Sequence, residues 1–186
     1  MKGIEKLDHL FETEKQLNFD RDFLSGWELY ETWDEVRVGR THIAPNDYLV
    51  KAEDVAYYNR AVGETDPLLV DVRHALEHSP TGNVIAHPCF LVSMLFYCLG
   101  PKGAGTWLRT PGARNPFQDI ELHDSIYVGE RISLAFTTVD RFIRRGKHYI
   151  TNQNDFTGSG GALKVRAYGT LIVPSTREEV RRFVNA

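Results

Sequence analysis

The chain lacks most of the features that would mark a specialised class. It has two cysteines, Cys89 and Cys98, nine positions apart inside one apolar run. On a helix that spacing places them far apart along the axis, which excludes a bridge between them and leaves two small buried hydrophobes. No Cys-x-x-Cys pair or histidine/cysteine cluster offers the ligand spacing of a zinc site, so no metal is expected. No apolar run approaches the roughly 18 to 20 residues that a membrane span requires. The first fifteen residues are rich in charge and hold no apolar signal region. Net charge is only -3 over 186 residues, so nothing points to nucleic acid or to a membrane surface. Repeats and low-complexity tracts are absent. What remains is a cytoplasmic protein by default, of ordinary composition and of a length that suits one domain with a real hydrophobic core.

What is present divides into two halves. Residues 1–17 place Ile4, Leu7, Leu10 and Phe11 at helical spacing. With the Trp- and Tyr-bearing stretch 26–40, they suggest a helical arm over residues 1–38. A short strand is expected at 48–50. A helix follows over 51–62, with Val55, Tyr58, Asn59 and Val62 on one side and Gly63 as its stop. A second short helix, 71–78, is broken by Ser79-Pro80-Thr81-Gly82. Residues 89–99 are apolar nearly all round, the pattern of a helix buried on every side. The stretch 100–117, rich in glycine and proline, reads as a long irregular loop carrying Lys102, Trp107, Arg109 and Arg114, and loops of that kind are often functional.

From Gln118 the period changes to two. Ile132, Leu134, Phe136 and Thr138 alternate, and so do Leu163, Val165, Ala167, Gly169, Leu171 and Val173. A strand at 149–156 lies between them. Arg144-Arg145-Gly146-Lys147 and Gly158-Ser159-Gly160-Gly161 supply the hairpin turns. Ser175 and Glu178 have the spacing of a capping box before a C-terminal helix over 175–186. The whole predicts an α+β protein, a curved antiparallel sheet wrapped around one buried helix.

Two segments carry chemistry. The first is Gly63-Glu64-Thr65-Asp66-Pro67-Leu68-Leu69-Val70-Asp71, a tight acidic turn; the second is Ile85-Ala86-His87-Pro88-Cys89-Phe90, which opens the apolar run. Together they resemble the MaoC-like dehydratase/hydratase family, whose fold is the hot dog. The likeness covers residues 39–174, including Gln118, His123 and Val128-Gly129-Glu130. Gly63, Pro67, Leu68 and Asp71 match the family pattern, whereas Glu64 stands at its catalytic Asp, Asp66 at its Asn and Leu69 at its catalytic His. The resemblance implies an acyl-thioester hydratase/dehydratase, with an aspartate and a histidine holding one water. Its substrate is an acyl-coenzyme A or acyl-carrier thioester, coenzyme A being part of the substrate and no separate cofactor being needed.

With Leu69 unable to hold water, Glu64 as a lone base and Glu64 sharing a proton with Asp66 both stay open. His87 is the third catalytic candidate. Pro67, Cys89, Phe90, Trp107 and Arg109 are the candidates for substrate binding. Pro88 replaces the family's glycine and has no N–H, so the oxyanion donors fall to Cys89 and Phe90. The pattern is closest to the N-terminal dehydratase-domain branch, in which the catalytic pair is often absent. A non-catalytic acyl-binding subunit of a heteromeric dehydratase is therefore the alternative, with a hot-dog thioesterase behind it. In either case a homodimer or heterodimer with a second hot-dog subunit is implied.

Each candidate also has a plainer role. Glu64 and Asp66 can cap a turn, and His87 can be a helix-terminus contact. His74 and His78 have the i, i+4 spacing of metal ligands but lack a third. Arg141, Arg144, Arg145 and Lys147 suit a solvated hairpin as well as a phosphate.

Overall fold

The computed structural model describes residues 9–18, 22, 24–99, 105 and 107–186. Among the described residues, six strands and six α-helices are joined by loops and single turns of 3₁₀ helix. The helices are α1 (Glu14–Asn18), α2 (Ala52–Ala61), α3 (Pro67–Val70), α4 (Val72–His78), α5 (Leu91–Leu99) and α6 (Arg177–Val184). The strands are β1 (Thr41–Ile43), β2 (Tyr48–Leu49), β3 (Arg114–Leu122), β4 (Arg131–Arg144), β5 (Lys147–Thr157) and β6 (Leu163–Ile172). The strand order is β1-β4-β5-β6-β3, with β2 also paired to β4 and every described pairing antiparallel.

Alternation sets the sheet's two faces. Ile132, Leu134, Phe136, Ile150, Phe156, Val165, Ala167 and Leu171 are buried and share one core with Phe90, Leu91, Met94, Leu95, Cys98 and Leu99. That core is α5 lying against the sheet. Register shifts at Thr138/Asp140 in β4 and Arg114/Phe117 in β3 mark bulges, which bend and twist a strand and so curve the sheet. At the β4–β5 turn both Arg145 (φ 50°) and Gly146 (φ 69°) are left-handed, the backbone that suits a two-residue hairpin.

On the outward face, Arg166 of β6 donates to both oxygens of Asp155 on β5, at 2.7 and 2.9 Å. This pairing, chiefly, holds the Asp155 carboxyl below its ordinary value of 3.8. A depressed folded-state pKa contributes stability that is present above the unfolded value and lost as pH falls through the folded one. Asp155→Asn is therefore expected to melt below the wild type at neutral pH. The gap should close as pH drops below 3.8, which thermal melts in acid will show.

Several elements differ from the sequence reading. Residues 1–8 of the expected arm lie outside the described residues. Among those described, the arm has one short α-helix, α1, with 3₁₀ turns at residues 9–10 and at Trp27–Leu29, the latter entered by a left-handed Gly26. So short a helix is unstable by itself and is held by tertiary contacts. The helix over 89–99 is not buried all round. Val92 is 37% exposed and Phe96 and Tyr97 are half-buried, because the sheet covers one side of α5 and leaves the other open. Of the residues grouped on one side of the helix over 51–62, Val55 and Asn59 are buried and Val62 is exposed. β3 starts four residues before Gln118 and shortens the irregular loop.

The capping box is shifted by one residue. Thr176 caps the N–H of Glu179 (3.3 Å), and the Glu179 carboxylate accepts from Ser175 N–H (2.7 Å). Cys98 is buried, and desolvation pushes its thiol up to about 12, the state of an inert hydrophobe. Cys89 is only half-buried; both cysteines are free.

Candidate active site

Asn59 organises the site. It lies on the inward face of α2 and is fully buried. Its amide donates to the carbonyls of Leu69 and Ile85, both at 2.8 Å, and its Oδ1 accepts from His87 N–H at 3.2 Å. Its own carbonyl accepts from Glu64 N–H at 3.0 Å. One side chain and one peptide thus fasten the acidic turn and the 85–87 stretch to the end of α2. Gly63, at φ 90°, makes the turn that a residue with a Cβ would strain, and this brings the chain round to Glu64.

The result is a carboxylate–imidazole pair. His87 Nε2 lies 3.8 Å from Glu64 Oε1, with side chains 28% and 35% exposed. His87 Nδ1 accepts from Cys89 N–H at 3.0 Å, so in the neutral ring Nε2 carries the proton and faces Glu64. Tyr58 stands beside them: its hydroxyl donates to Cys89 O at 2.9 Å and its ring centroid is 6.1 Å from that of His87. Burial, then the neighbouring Cys89, raises the Tyr58 phenol above its usual value. A cleft of about 410 Å³ opens at His87 and Pro88, faced across by His123, Asp124 and Ser125.

The remaining sequence candidates fall elsewhere. Asp66 is exposed and accepts from Leu68 N–H at 2.9 Å as the cap of α3, with Pro67 in the first helical position. The N–H groups expected to serve an oxyanion are occupied within the turn, Cys89 by His87 Nδ1 and Phe90 by His87 O at 2.9 Å. Phe90 itself is fully buried core.

Trp107 and Arg109 are 2% and 4% exposed, so neither presents a surface to a nucleotide. Trp107 packs edge-on against His42 and Phe136. Lys102 lies outside the described residues. Arg141 leaves the basic hairpin cluster: it lies 4.5 Å over Trp33 and donates to Val36 O, pinning the arm. His74 and His78 stack on each other at 4.2 Å. Among the described residues no three His, Cys, Asp or Glu are grouped to hold a metal.

Sequence reasoning missed Asn59 and Tyr58 as site residues, although both were placed on one side of their helix with Val55. The available signal was an amide on an apolar face, which must find partners when buried.

This architecture, a curved six-stranded antiparallel sheet around α5 with an acidic turn at the mouth of that helix, is the MaoC-like hot-dog fold. Among similar solved structures is a MaoC-like dehydratase from Rhodospirillum rubrum, with 16% identity, coverage of 78% of this chain and 98% of that one, and a TM-score of 0.62. The R-hydratase PhaJ1 from Pseudomonas aeruginosa has 13% identity, coverage of 78% and 86%, and a TM-score of 0.60. The HadBC (3R-hydroxyacyl-ACP dehydratase) complex from Mycobacterium tuberculosis has 19% identity, coverage of 75% and 98%, and a TM-score of 0.62. No family model and no curated protein matches the sequence. Among the described residues no helix is long and apolar enough to cross a membrane.

Proposed function

We propose that the chain is an acyl-thioester hydratase/dehydratase in which Glu64 and His87 form the water-holding pair. The observation that carries this reading is the 3.8 Å approach of His87 Nε2 to Glu64 Oε1, with the tautomer set by Cys89. The family's histidine position holds Leu69, and a histidine from the next segment stands opposite the carboxylate instead. In hydration, His87 Nε2–H donates to the water oxygen and orients it. Glu64 takes a proton from that water as its oxygen bonds to C3 of the unsaturated thioester. The C2=C3 π bond opens, and Glu64 returns the same proton to C2. Dehydration is the reverse. The thioester enters by the cleft at His87 and Pro88, with coenzyme A or an acyl carrier on the solvent side.

A second hot-dog subunit fits the sheet edge at β3, where Phe117 and Leu122 are more than half exposed. Edge strands of that kind are templates for pairing.

One observation favours the second reading, a non-catalytic acyl-binding subunit: Cys89 and Phe90 spend their N–H groups inside the turn. The test is turnover of enoyl-coenzyme A thioesters by the purified chain at high concentration. Hydration supports the catalytic reading. No turnover alone, with hydration appearing only when a hot-dog subunit bearing an intact Asp/His pair is added, supports the binding subunit.

A further inference from the structure

Tyr58 borders a second cavity, of about 390 Å³, between α1, α2 and α5. Its walls are aromatic: Phe11, Tyr57, Tyr58, Phe90, Phe96 and Tyr97. The volume and lining are those of a small-molecule site, apolar with a few convergent polar groups.

The polar groups gather at Lys15 and Asp54. These form an ion pair with side chains only 12% and 5% exposed. Lys15 Nζ lies 4.6 Å over the Tyr48 ring, and burial, then the neighbouring Asp54 carboxylate, pushes the Tyr48 phenol up. A buried ion pair contributes little net stability, and apolar residues in its place are often as good or better. Its presence in the wall of a cavity therefore suits recognition. The pair is neutral overall, so it draws no anion. An ammonium carries three donors, and Asp54 takes one, which leaves hydrogen-bonding capacity for an uncharged oxygen. A second contact, Lys51 to Glu14 at 2.6 Å, also holds α1 to α2, so the N-terminal arm forms one wall of the cavity.

We infer that this cavity receives the acyl group of the substrate, and that the acyl group it selects ends in a ring bearing an uncharged oxygen directed at Lys15 and Asp54. The inference rests on the acyl-thioester reading above. Flat rings gain edge-to-face and offset contacts with aromatic walls beyond the area they bury, and a linear chain gains only the area.

The test is calorimetric binding of three coenzyme A thioesters to the full chain carrying Glu64→Gln, which slows turnover by about 10²- to 10⁴-fold. The probes are 4-hydroxycinnamoyl, cinnamoyl and linear trans-2-nonenoyl, all with the same number of acyl carbons. The hydroxylated ring is expected to bind about tenfold more tightly than the linear chain, with cinnamoyl between them. Lys15→Met should make the two ring thioesters equal and leave nonenoyl unchanged. The comparison of ligands on the Glu64→Gln chain stands even if Lys15→Met loosens the arm. Nonenoyl binding as tightly as the rings overturns the ring preference and leaves the thioester reading intact. Binding of none of the three, with no turnover of any enoyl thioester, overturns both.

Discussion

Asn59→Leu should destabilise the protein by about 3 kcal/mol, a drop of roughly 6 to 12 °C in melting temperature for a chain of this size. Leucine is close to asparagine in size and leaves no large cavity, so the cost is polar. The carbonyls of Leu69 and Ile85 lose a donor and the N–H of His87 loses its acceptor, all three around a fully buried side chain. Each group left unsatisfied costs about 1 to 3 kcal/mol, reduced where the turn relaxes and admits water. Asn59→Asp keeps the acceptor for His87 and loses both donors, so it should remain destabilised while holding His87 better. The same substitutions should depress turnover, because Asn59 sets the distance between Glu64 and His87. Thermal melting checks the first effect. A melt of Asn59→Leu within about 2 °C of wild type would show that the turn is held by other means.

Glu64→Gln should lower turnover by about 10²- to 10⁴-fold, the usual contribution of a general base, with little change in melting temperature. The near-neutral stability follows from the structure: the side chain is 35% exposed and glutamine keeps its shape. Asp66→Asn is the informative control. Asparagine caps a helix as well as aspartate does, so this variant should retain turnover within about twofold. If instead Asp66→Asn and Glu64→Gln lose activity alike, the two carboxylates act as a pair and His87 is not the partner. His87→Phe should also lose activity, with some stability, because it removes the acceptor for Cys89 N–H as well as the Nε2–H donor. Steady-state kinetics on all three, beside melts, separates chemistry from folding.

The strands were legible because each repeats a local rule. Ile132, Leu134 and Phe136 alternate with polar or small neighbours, and a strand with one wet face can place them only inward. The glycines at 63 and 146 and the break at 79–82 mark turns for equally local reasons, since they concern backbone freedom at single positions. The helix over 89–99 was legible as a helix but not in how it is covered. Composition says that its side chains are apolar, while the sheet decides that Phe90, Met94 and Cys98 are enclosed and Val92 is not. In the same way, the presence of Trp107 and Arg109 in a glycine-rich loop says nothing about whether they face water; packing against His42 and Phe136 took the tryptophan inside.

By itself the sequence determined the α+β class, the antiparallel strands, the acidic turn and the buried segment that follows it, because periodicity and turn chemistry act over a few residues. Only the tertiary structure decided which groups meet. Glu64 and His87 belong to different segments, brought together through Asn59; Lys15 reaches Asp54 from 39 residues away. Such contacts arise from the way α1, α2 and α5 pack on one another. No local pattern encodes that packing, since a buried amide or ion pair gains its partners only when the chain closes around it.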